Sequence, residues 1–456
     1  MGNGTTVQAG KRATYPAYKS SGMDWVGDVP EHWDVRRLKH IASVQFSSVD
    51  KHTKEDEIPV QLCNYVDVYY NDFIREGIDF MAATATRSEI ERFQIRHGDV
   101  LITKDSESWD DIAVPAYVAE ELDCVLCGYH LAHIRPDVRK MIGNYLFRAF
   151  RSCGINDQFR VAANGITRFG LGKYWLDNAL FPIPPLDEQR AIAAFLDRET
   201  VRIDALLEMK QRQIKLLQEK RAALISHAVT KGLDPNAPTK DSGIEWLGDV
   251  PASWHHRKLG YVASMSGGCT PSKSNEAYWR GTIPWVSPKD MKKRCISDSE
   301  DHVSEEAVSD TGLRLLEPPV VLIVVRGMIL AHTFPVGLTS APVTINQDMK
   351  ALRPERGVVA DYLAFLLEGI SSLVLSHVDE SAHGTKCLRT DLWKNISVFI
   401  PDEQEQLEVC AHLHQQMRKL DDLIRRVDDS VAVLHEHRIA LISAAVTGKI
   451  DVRGEL

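Results

Sequence analysis

Two basic residues stand at the ends of predicted strands, where a side chain can reach a phosphate or the edge of a base. Lys104 closes the apolar segment 98–104 (GDVLITK), and Arg326 lies near the end of the apolar segment 322–327 (LIVVRG). An arginine in such a place can bind a guanine or a phosphate, and it can equally pair with a nearby carboxylate. Both residues are therefore candidate nucleic-acid contacts.

A second pair of basic residues follows small and hydroxyl-bearing residues at nearly equivalent places in the two halves of the chain. Arg168 ends the segment 165–168 (GITR), Lys386 ends the segment 384–386 (GTK), and a tryptophan-containing segment follows each. A small residue followed by a hydroxyl-bearing residue and a basic residue predicts a turn that holds a nucleic-acid backbone. With neighbouring polar residues, the candidate DNA-contacting set is Lys104, Arg168, Lys173, Thr270, Lys273, Arg326, Gln347, Lys386 and Arg389.

The sequence patterns of common catalytic sites are missing. The chain has no N-P-P-[FY], G-x-G-x-x-G or H-E-x-x-H pattern, and the glycine-rich turn 267–273 (GGCTPSK) lacks the G-K-[ST] ending of a nucleotide-binding loop. Cys124 and Cys127 form a lone C-x-x-C without a second pair at zinc spacing. We predict a binding protein with no catalytic site, metal or cofactor of its own.

Composition leaves the binding partner open. The 456 residues carry a formal net charge of −9. That charge does not favour nucleic acid as a partner, but phosphate binding depends on local basic surface and not on the sum over the chain. The polar start MGNGT lacks the apolar core of a signal peptide, and the apolar run 320–325 is too short to span a bilayer. These features predict a cytoplasmic location.

The sequence contains a tandem duplication. Residues 21–38 match residues 242–259 at ten of 18 positions, and residues 223–230 (ALISHAVT) match residues 440–447 (ALISAAVT) at seven of eight. The middle parts, 41–165 and 262–384, show little similarity. Conserved ends with different middles predict one scaffold that presents two recognition surfaces; drift after duplication is the alternative.

The matched C-terminal part of each copy is predicted to be a long helix. A segment free of Pro and Gly follows the helix-start signals DEQ at 187–189 and 402–404, and apolar residues recur at alternating spacings of four and three. Arg221 and Arg438 occupy the same place in the two patterns. The residues predicted to pair the helices are Ile203, Leu207, Ile214, Leu217, Leu224, Leu420, Ile424, Val427, Val431, Leu434 and Leu441.

Two such helices in a duplicated chain are most simply paired antiparallel about a pseudo-twofold axis. The alternative is two separate amphipathic helices, each packed on its own domain. The expected fold class is α+β, with two α/β recognition domains separated by two long helices that form an antiparallel coiled coil. The predicted domains are an N-terminal tail (1–20), recognition domain 1 (21–182), spacer helix 1 (183–232), recognition domain 2 (233–398) and spacer helix 2 (399–456).

Local patterns add two expectations within the recognition domains. Trp25 and Trp33, with Trp246 and Trp254 in the second copy, are predicted to pack in the interior rather than stack on a ligand. Segments 59–70 (PVQLCNYVDVYY) and 98–104 are predicted to be strands.

The sequence resembles the specificity subunits of type I restriction–modification systems over nearly its whole length. The twice-occurring lead-in SG-x-x-W-x-G-x-VP-x-x-W resembles the opening of that family, and residues 268–291 resemble the start of one type of target recognition domain. Segments 325–327 and 345–348 continue that pattern. Residues 182–192 and the helices ending in ALIS-x-AVT are similar to the spacer regions of the family.

The resemblance implies a non-catalytic subunit of an adenine-N6 DNA methyltransferase and type I endonuclease complex. Each recognition domain would read one half of a bipartite double-stranded DNA site. The spacer helices would bind two methylation subunits, which carry S-adenosylmethionine, and restriction subunits with translocase and endonuclease activity would join them. Two rival functions remain at this point: a stand-alone, repressor-like DNA-binding protein, and an enzyme such as a nuclease with an unrecognised site.

Overall fold

A computed structural model describes residues 13–380 and 384–455. They form two compact units, one of residues up to Lys210 together with those from Asp429 onward, and the other of Gln211–Asp428. Each unit thus contains a part of both long helices. Residues 1–12 of the predicted N-terminal tail lie outside the described residues, and the predicted domain boundaries stay a prediction.

The first unit combines a mixed sheet with short helices. Its strands are β1 (Tyr18–Ser20), β2 (Asp28–Pro30), β3 (Asp34–Arg37), β4 (Ala42–Phe46), β5 (Ile58–Cys63), β6 (Phe73–Ile74), β7 (Met81–Ala85), β8 (Val100–Thr103), β9 (Asp105–Ser106), β10 (Pro115–Val118), β11 (Val125–Cys127), β12 (Leu131–Pro136), β13 (Phe169–Gly170) and β14 (Leu180–Ile183). Its helices are α1 (Tyr65–Tyr70), α2 (Arg87–Phe93), α3 (Gly143–Phe150), α4 (Cys153–Ala162), α5 (Lys173–Asn178) and the first part of α6 (Leu186–Lys231).

The second unit has its own strands and short helices. The strands are β15 (Thr239–Asp241), β16 (Asp249–Pro251), β17 (His255–Lys258), β18 (Ala263–Gly267), β19 (Ile283–Val286), β20 (Cys295–Ile296), β21 (His302–Val303), β22 (Val321–Val324), β23 (Val336–Thr339), β24 (Thr344–Ile345), β25 (Met349–Pro354), β26 (Val378–Glu380), β27 (Lys386–Leu388) and β28 (Ser397–Ile400). The helices are α7 (Glu305–Asp310), α8 (Ala360–Gly369), α9 (Ser371–Leu375), α10 (Thr390–Trp393) and the first part of α11 (Glu403–Val446).

The two units share one sheet topology. The five-stranded sheet has the order β4-β12-β8-β10-β6 in the first unit and β18-β25-β22-β23-β20 in the second. In both sheets the central strand is buried at every residue, and the last strand pairs parallel to its neighbour. The dissimilar middles 41–165 and 262–384 therefore carry the same fold. This repeat confirms the predicted fold class.

One strand prediction is wrong in part. Residues 59–70 contain β5 but continue as the helix α1, because Asn64 and Asp67 form a capping box that starts a helix. The valine and tyrosine residues that follow favour strands by propensity, and the cap overrides that preference. Segment 98–104 contains β8, so the second strand prediction is confirmed.

The lead-in tryptophans divide into buried and exposed members. Trp33 and Trp254 are fully buried, as predicted, whereas Trp25 and Trp246 are exposed, which corrects the expectation for these two. The indole Nε1 of Trp33 donates to Glu188 Oε1 at 3.1 Å, and that of Trp254 donates to Glu405 Oε1 at 2.9 Å. In each unit the lead-in is thereby joined to the first turn of a long helix.

A buried glutamine beside each of these glutamates joins the long helix to a short one. Gln189 accepts from the backbone N–H of Ile142 at 2.8 Å and donates to the carbonyls of Lys140 and Pro184, both at 2.9 Å. Ile142 is the N-cap residue of α3. Gln406 repeats the contacts in the second unit with Val359, Gly357 and Pro401 at the same distances.

The long helices run antiparallel. In the first unit the beginning of α6 packs on the end of α11, and in the second unit the end of α6 packs on the beginning of α11. Of the predicted pairing residues, Ile203, Leu207, Leu420, Val427 and Leu441 are buried, and Ile214, Leu217, Leu224, Ile424, Val431 and Leu434 are partly buried. Within the described residues, no helix is both long and apolar enough to cross a lipid bilayer.

An arginine on the helix pair has a carboxylate partner in each unit. Arg438 Nε lies 3.0 Å from Asp204 and its Nη2 lies 2.8 Å from Asp72. The equivalent Arg221 pairs with Asp421. The arginines in the pairing pattern are thus compensated by carboxylates.

The ion pair around Asp72 is inverted in the second unit. Asp72 also pairs with Arg151, the C-cap residue of α3, in the first unit. At the corresponding places of the second unit, Arg294 pairs with Glu368 of α8. The acidic and basic members have exchanged positions, so the contact survives with reversed charges.

The two equivalent arginines should differ in their contribution to stability. The Arg438 side chain is 17% exposed and has two carboxylate partners, whereas Arg221 is 36% exposed and has one. We expect Arg438→Met to lower the free energy of unfolding by about 2 kcal/mol, because it removes charge-assisted hydrogen bonds to Asp204 and to the partly buried Asp72, which keeps only Arg151. Arg221→Met should cost about 0.2–1 kcal/mol. Thermal unfolding of both variants measures the difference, and equal losses would contradict this account.

Candidate nucleic-acid interface

In the first unit, the central strand β8 leads directly into a short two-stranded ribbon. Asp105 in β9 lies opposite Gly170 in β13, and the N–H of Leu171 donates to the carbonyl of Lys104 at 2.8 Å. The ribbon brings the segment after β8 next to the segment that contains Arg168. Lys104 and Arg168, both predicted to contact DNA, therefore lie on neighbouring segments.

Arg168 is held by a carboxylate on this ribbon. Its Nε donates to Asp105 Oδ1 at 3.0 Å, and its Nη2 donates to the same oxygen. The other oxygen, Oδ2, accepts from His130 Nδ1 at 3.0 Å. Asp105 is 17% exposed and Arg168 is 53% exposed, so the acid lies inward and the guanidinium faces outward.

Lys104 lies on aromatic rings. Its ammonium nitrogen is 4.5 Å from the ring centroid of Tyr129 and 5.1 Å from that of Phe46. Burial lowers the pKa of Lys104, and the attraction of Asp105 opposes that effect. The lysine remains within reach of an anion, but part of its surface is covered.

Lys173 is the remaining candidate in the first unit. It begins α5, and its Nζ lies 2.6 Å from Asp177 one turn further along the helix. This exposed ion pair is local. It does not join Lys173 to Asp105, Arg168 or His130.

In the second unit, the glycine-rich turn contacts the segment after β24. A side chain at Gly268 would place its Cβ 1.9 Å from the carbonyl oxygen of Ile345, so this close approach requires glycine. Two residues further along, the Thr270 hydroxyl donates to the side chain of Gln347. Thr270 and Gln347 thus meet, as their assignment to one site requires.

Arg326 occupies the place in the second unit that Asp105 has in the first. It forms a bridge with Cys387, and the N–H of Leu388 donates to the carbonyl of Val325 at 2.8 Å. Arg326 is exposed, and it pairs with no carboxylate among residues 13–380 and 384–455.

Lys386 and Arg389 flank this bridge. Lys386 lies 2.7 Å from Glu380, and Arg389 pairs with Asp379 and Asp391. The carbonyl of Asp348 accepts from the N–H of Arg326, which joins this group to the segment of Gln347. Five of the six candidates of the second unit therefore lie in one neighbourhood.

Lys273 follows Thr270 by three residues. It borders a cavity of about 440 Å³ with the indoles of Trp279 and Trp285, which meet edge to face at 5.0 Å. Every candidate is thus located, and their contacts with DNA stay predictions.

The sequence reasoning missed the residues that hold the candidate cations. Asp105 and His130 contact Arg168 from positions 63 and 38 residues away, and Tyr129 lies under Lys104. Spacing carries no signal for such long-range contacts.

The described residues contain no group of three or more His, Cys, Asp or Glu side chains arranged to hold a metal ion. Cys63 and Cys127 face each other on the parallel strands β5 and β11, and burial raises the pKa of both thiols. Neutral buried thiols are poor metal ligands.

Comparisons with known proteins agree with this architecture. Residues 251–431 match the family described as "Type I restriction modification DNA specificity domain". The specificity subunit of the type I restriction enzyme EcoR124I/EcoR124II from Escherichia coli is 28% identical over 273 residues, covering 57% of this chain and 60% of that relative. The putative MjaX specificity subunit from Methanocaldococcus jannaschii is 22% identical over 434 residues, covering 94% of this chain and 96% of the relative.

A solved structure shares the fold. One chain of a type I restriction–modification system, studied for its complex assembly and conformational transition, has a TM-score of 0.69 at 18% sequence identity. The likeness covers 94% of this chain and 99% of that chain.

The fold and the matched domain define a duplicated DNA-specificity protein, because the sheet order of the matched second unit recurs in the first. Residues 251–431 match the DNA specificity domain of type I restriction–modification systems, and the chain as a whole is similar to the specificity subunits of such systems, as its sequence resemblance indicated.

The candidate cations should separate into phosphate contacts and base contacts by their salt dependence. If Lys386 contacts a phosphate, Lys386→Ala should weaken binding to all duplex sequences alike and reduce the slope of log K against log salt by about 0.9. If Arg326 contacts a base, Arg326→Ala should cost about 1–3 kcal/mol at one position only. Fluorescence anisotropy at several salt concentrations measures both effects. Unchanged affinity in both variants would reject these two assignments.

Proposed function

We propose that each unit of this chain reads one half of a bipartite double-stranded DNA site. The observation that carries the proposal is one sheet topology present twice, with different residues at equivalent positions such as Asp105 and Arg326. A shared framework with different side chains suits two heads that read different bases. The similarity to specificity subunits of restriction enzymes favours this role over that of a stand-alone DNA-binding protein.

We further propose that the long helices bind two methylation subunits and that restriction subunits join the complex. In this proposal the methylation subunits carry S-adenosylmethionine and modify adenine N6, while this chain contributes recognition without catalysis. The relatives are named as subunits of restriction enzymes, which supports an assembly of several chains. We place the complex in the cytoplasm, where the host DNA is available.

An exchange of one head should alter one half of the recognised site. We expect replacement of residues 41–165 by the matching part of a relative to change the bases of one half-site, because the contacts of the other head remain. Replacement of residues 262–384 is the matched control and should change the other half. Mapping of N6-methyladenine in a host carrying each hybrid measures the outcome. A change in both halves from a single exchange would refute separate reading.

The purified chain alone should transfer no methyl group to DNA. Incubation with duplex DNA and labelled S-adenosylmethionine is expected to give transfer only after the methylation subunits are added. Turnover by the chain alone that persists through a change of host and purification would contradict a purely recognitional role.

A further inference from the structure

The backbone contact that follows the central strand recurs in both heads, as a two-stranded ribbon in the first and as a single bridge in the second. The hydrogen bond from Leu171 N–H to the Lys104 carbonyl recurs as the bond from Leu388 N–H to the Val325 carbonyl, each at 2.8 Å. Asp105 and Arg326 therefore occupy equivalent positions with opposite charges. A position that keeps its backbone and changes its side chain between heads is suited to determining which base each head prefers.

Arg168 in the first head presents a defined part of its guanidinium. A guanidinium has five N–H donors in a fixed plane. The Nε–H and one Nη2–H are used by Asp105 Oδ1. Nη2 also lies 3.5 Å from His130 Nδ1, but that nitrogen already donates to Asp105 Oδ2 and cannot accept a hydrogen bond from Nη2. The outer hydrogens of Nη1 and Nη2 are parallel donors that match the O6 and N7 acceptors of guanine.

The charge of the pair favours a base over a phosphate. Asp105 neutralises much of the positive charge of Arg168, and a carboxylate in contact with the guanidinium would repel a phosphate. Guanine O6 and N7 are neutral acceptors, and a fixed orientation improves a bidentate contact with them. The half-buried Asp105, itself bound by His130, supplies that orientation.

We propose that Arg168 reads a guanine in the major groove of the half-site of the first head, and that Asp105 and His130 are positioning residues for it. This inference rests on the proposed function, because it requires that the first head reads DNA. Beyond the proposed function, it specifies the base that is recognised, the edge of that base and the two residues that orient Arg168.

The test uses the full chain and duplexes in which each guanine of the first head's half-site is replaced in turn by 7-deazaguanine, which lacks the N7 acceptor. That half-site is the one altered by exchange of residues 41–165. The wild-type chain should bind about 10-fold more weakly when one particular guanine is replaced by 7-deazaguanine. Arg168→Ala should lose about 5- to 150-fold on unmodified DNA, which corresponds to 1–3 kcal/mol, and should then be indifferent to the replacement at that guanine.

Asp105→Asn separates positioning from a general structural role. Removing the negative charge should increase affinity for unrelated duplex DNA, because repulsion of phosphates is relieved, while discrimination at the same guanine falls. Damage to the fold would lower both quantities. Arg139→Ala is the matched control, because Arg139 forms the same kind of pair with Asp137 on an exposed turn of this unit. It should leave affinity and the 7-deazaguanine pattern unchanged.

Two results would overturn this inference and leave the proposed function standing. One is a first-head half-site that contains no G·C pair. The other is an Arg168→Ala variant that keeps its sequence preference and responds to 7-deazaguanine at every position as wild type does. Loss of all sequence preference in the wild-type chain assembled with its methylation subunits would overturn the proposed function as well.

Discussion

The buried glutamine at the start of each long helix fixes the relation between helix and sheet within its unit. Gln189 and Gln406 each use both amide hydrogens and the carbonyl oxygen on backbone groups of neighbouring segments. No other side chain could satisfy these three buried groups in the same geometry, and leaving any of them unpaired would cost about 1–3 kcal/mol. The carbonyl oxygen of each glutamine accepts from the N–H of the N-cap residue of α3 or α8. One side chain thus fixes the position of this short helix relative to the long helix.

The scaffold was predictable from sequence because its signals are local or repeated. The lead-in segments and helix ends recur with high identity, and the apolar spacing of four and three needs no knowledge of the tertiary fold. The antiparallel pairing followed from duplication. The misassigned helix α1 shows the limit of this reasoning, because the Asn64 and Asp67 cap outweighs the strand propensity of the tyrosines that follow it.

The common topology of the two middles and the environment of the candidate cations were beyond the reach of the sequence. Many different sets of apolar residues can fill the buried strands β8 and β22. The two middles can therefore share a fold while their sequences show little identity. The contact between Asp105 and Arg168 joins residues far apart in the chain, and nothing in either segment indicates the other. The sequence therefore located the basic residues and could not say which carboxylate holds each of them.

The inverted pair formed by Asp72 with Arg151, and by Arg294 with Glu368, has a consequence for the evolution of the gene. A crossover between the two copies that fell between these positions would join the first part of one head to the last part of the other. Asp72 would then face the equivalent of Glu368, or Arg294 the equivalent of Arg151. Two like charges in a half-buried place destabilise the product. Recombinants that exchange a head as a whole keep the pair of Asp72 with Arg151, or that of Arg294 with Glu368, and alter only the contact of this position with the long helix. Exchange of intact heads is therefore expected to destabilise the protein less than a crossover within one head.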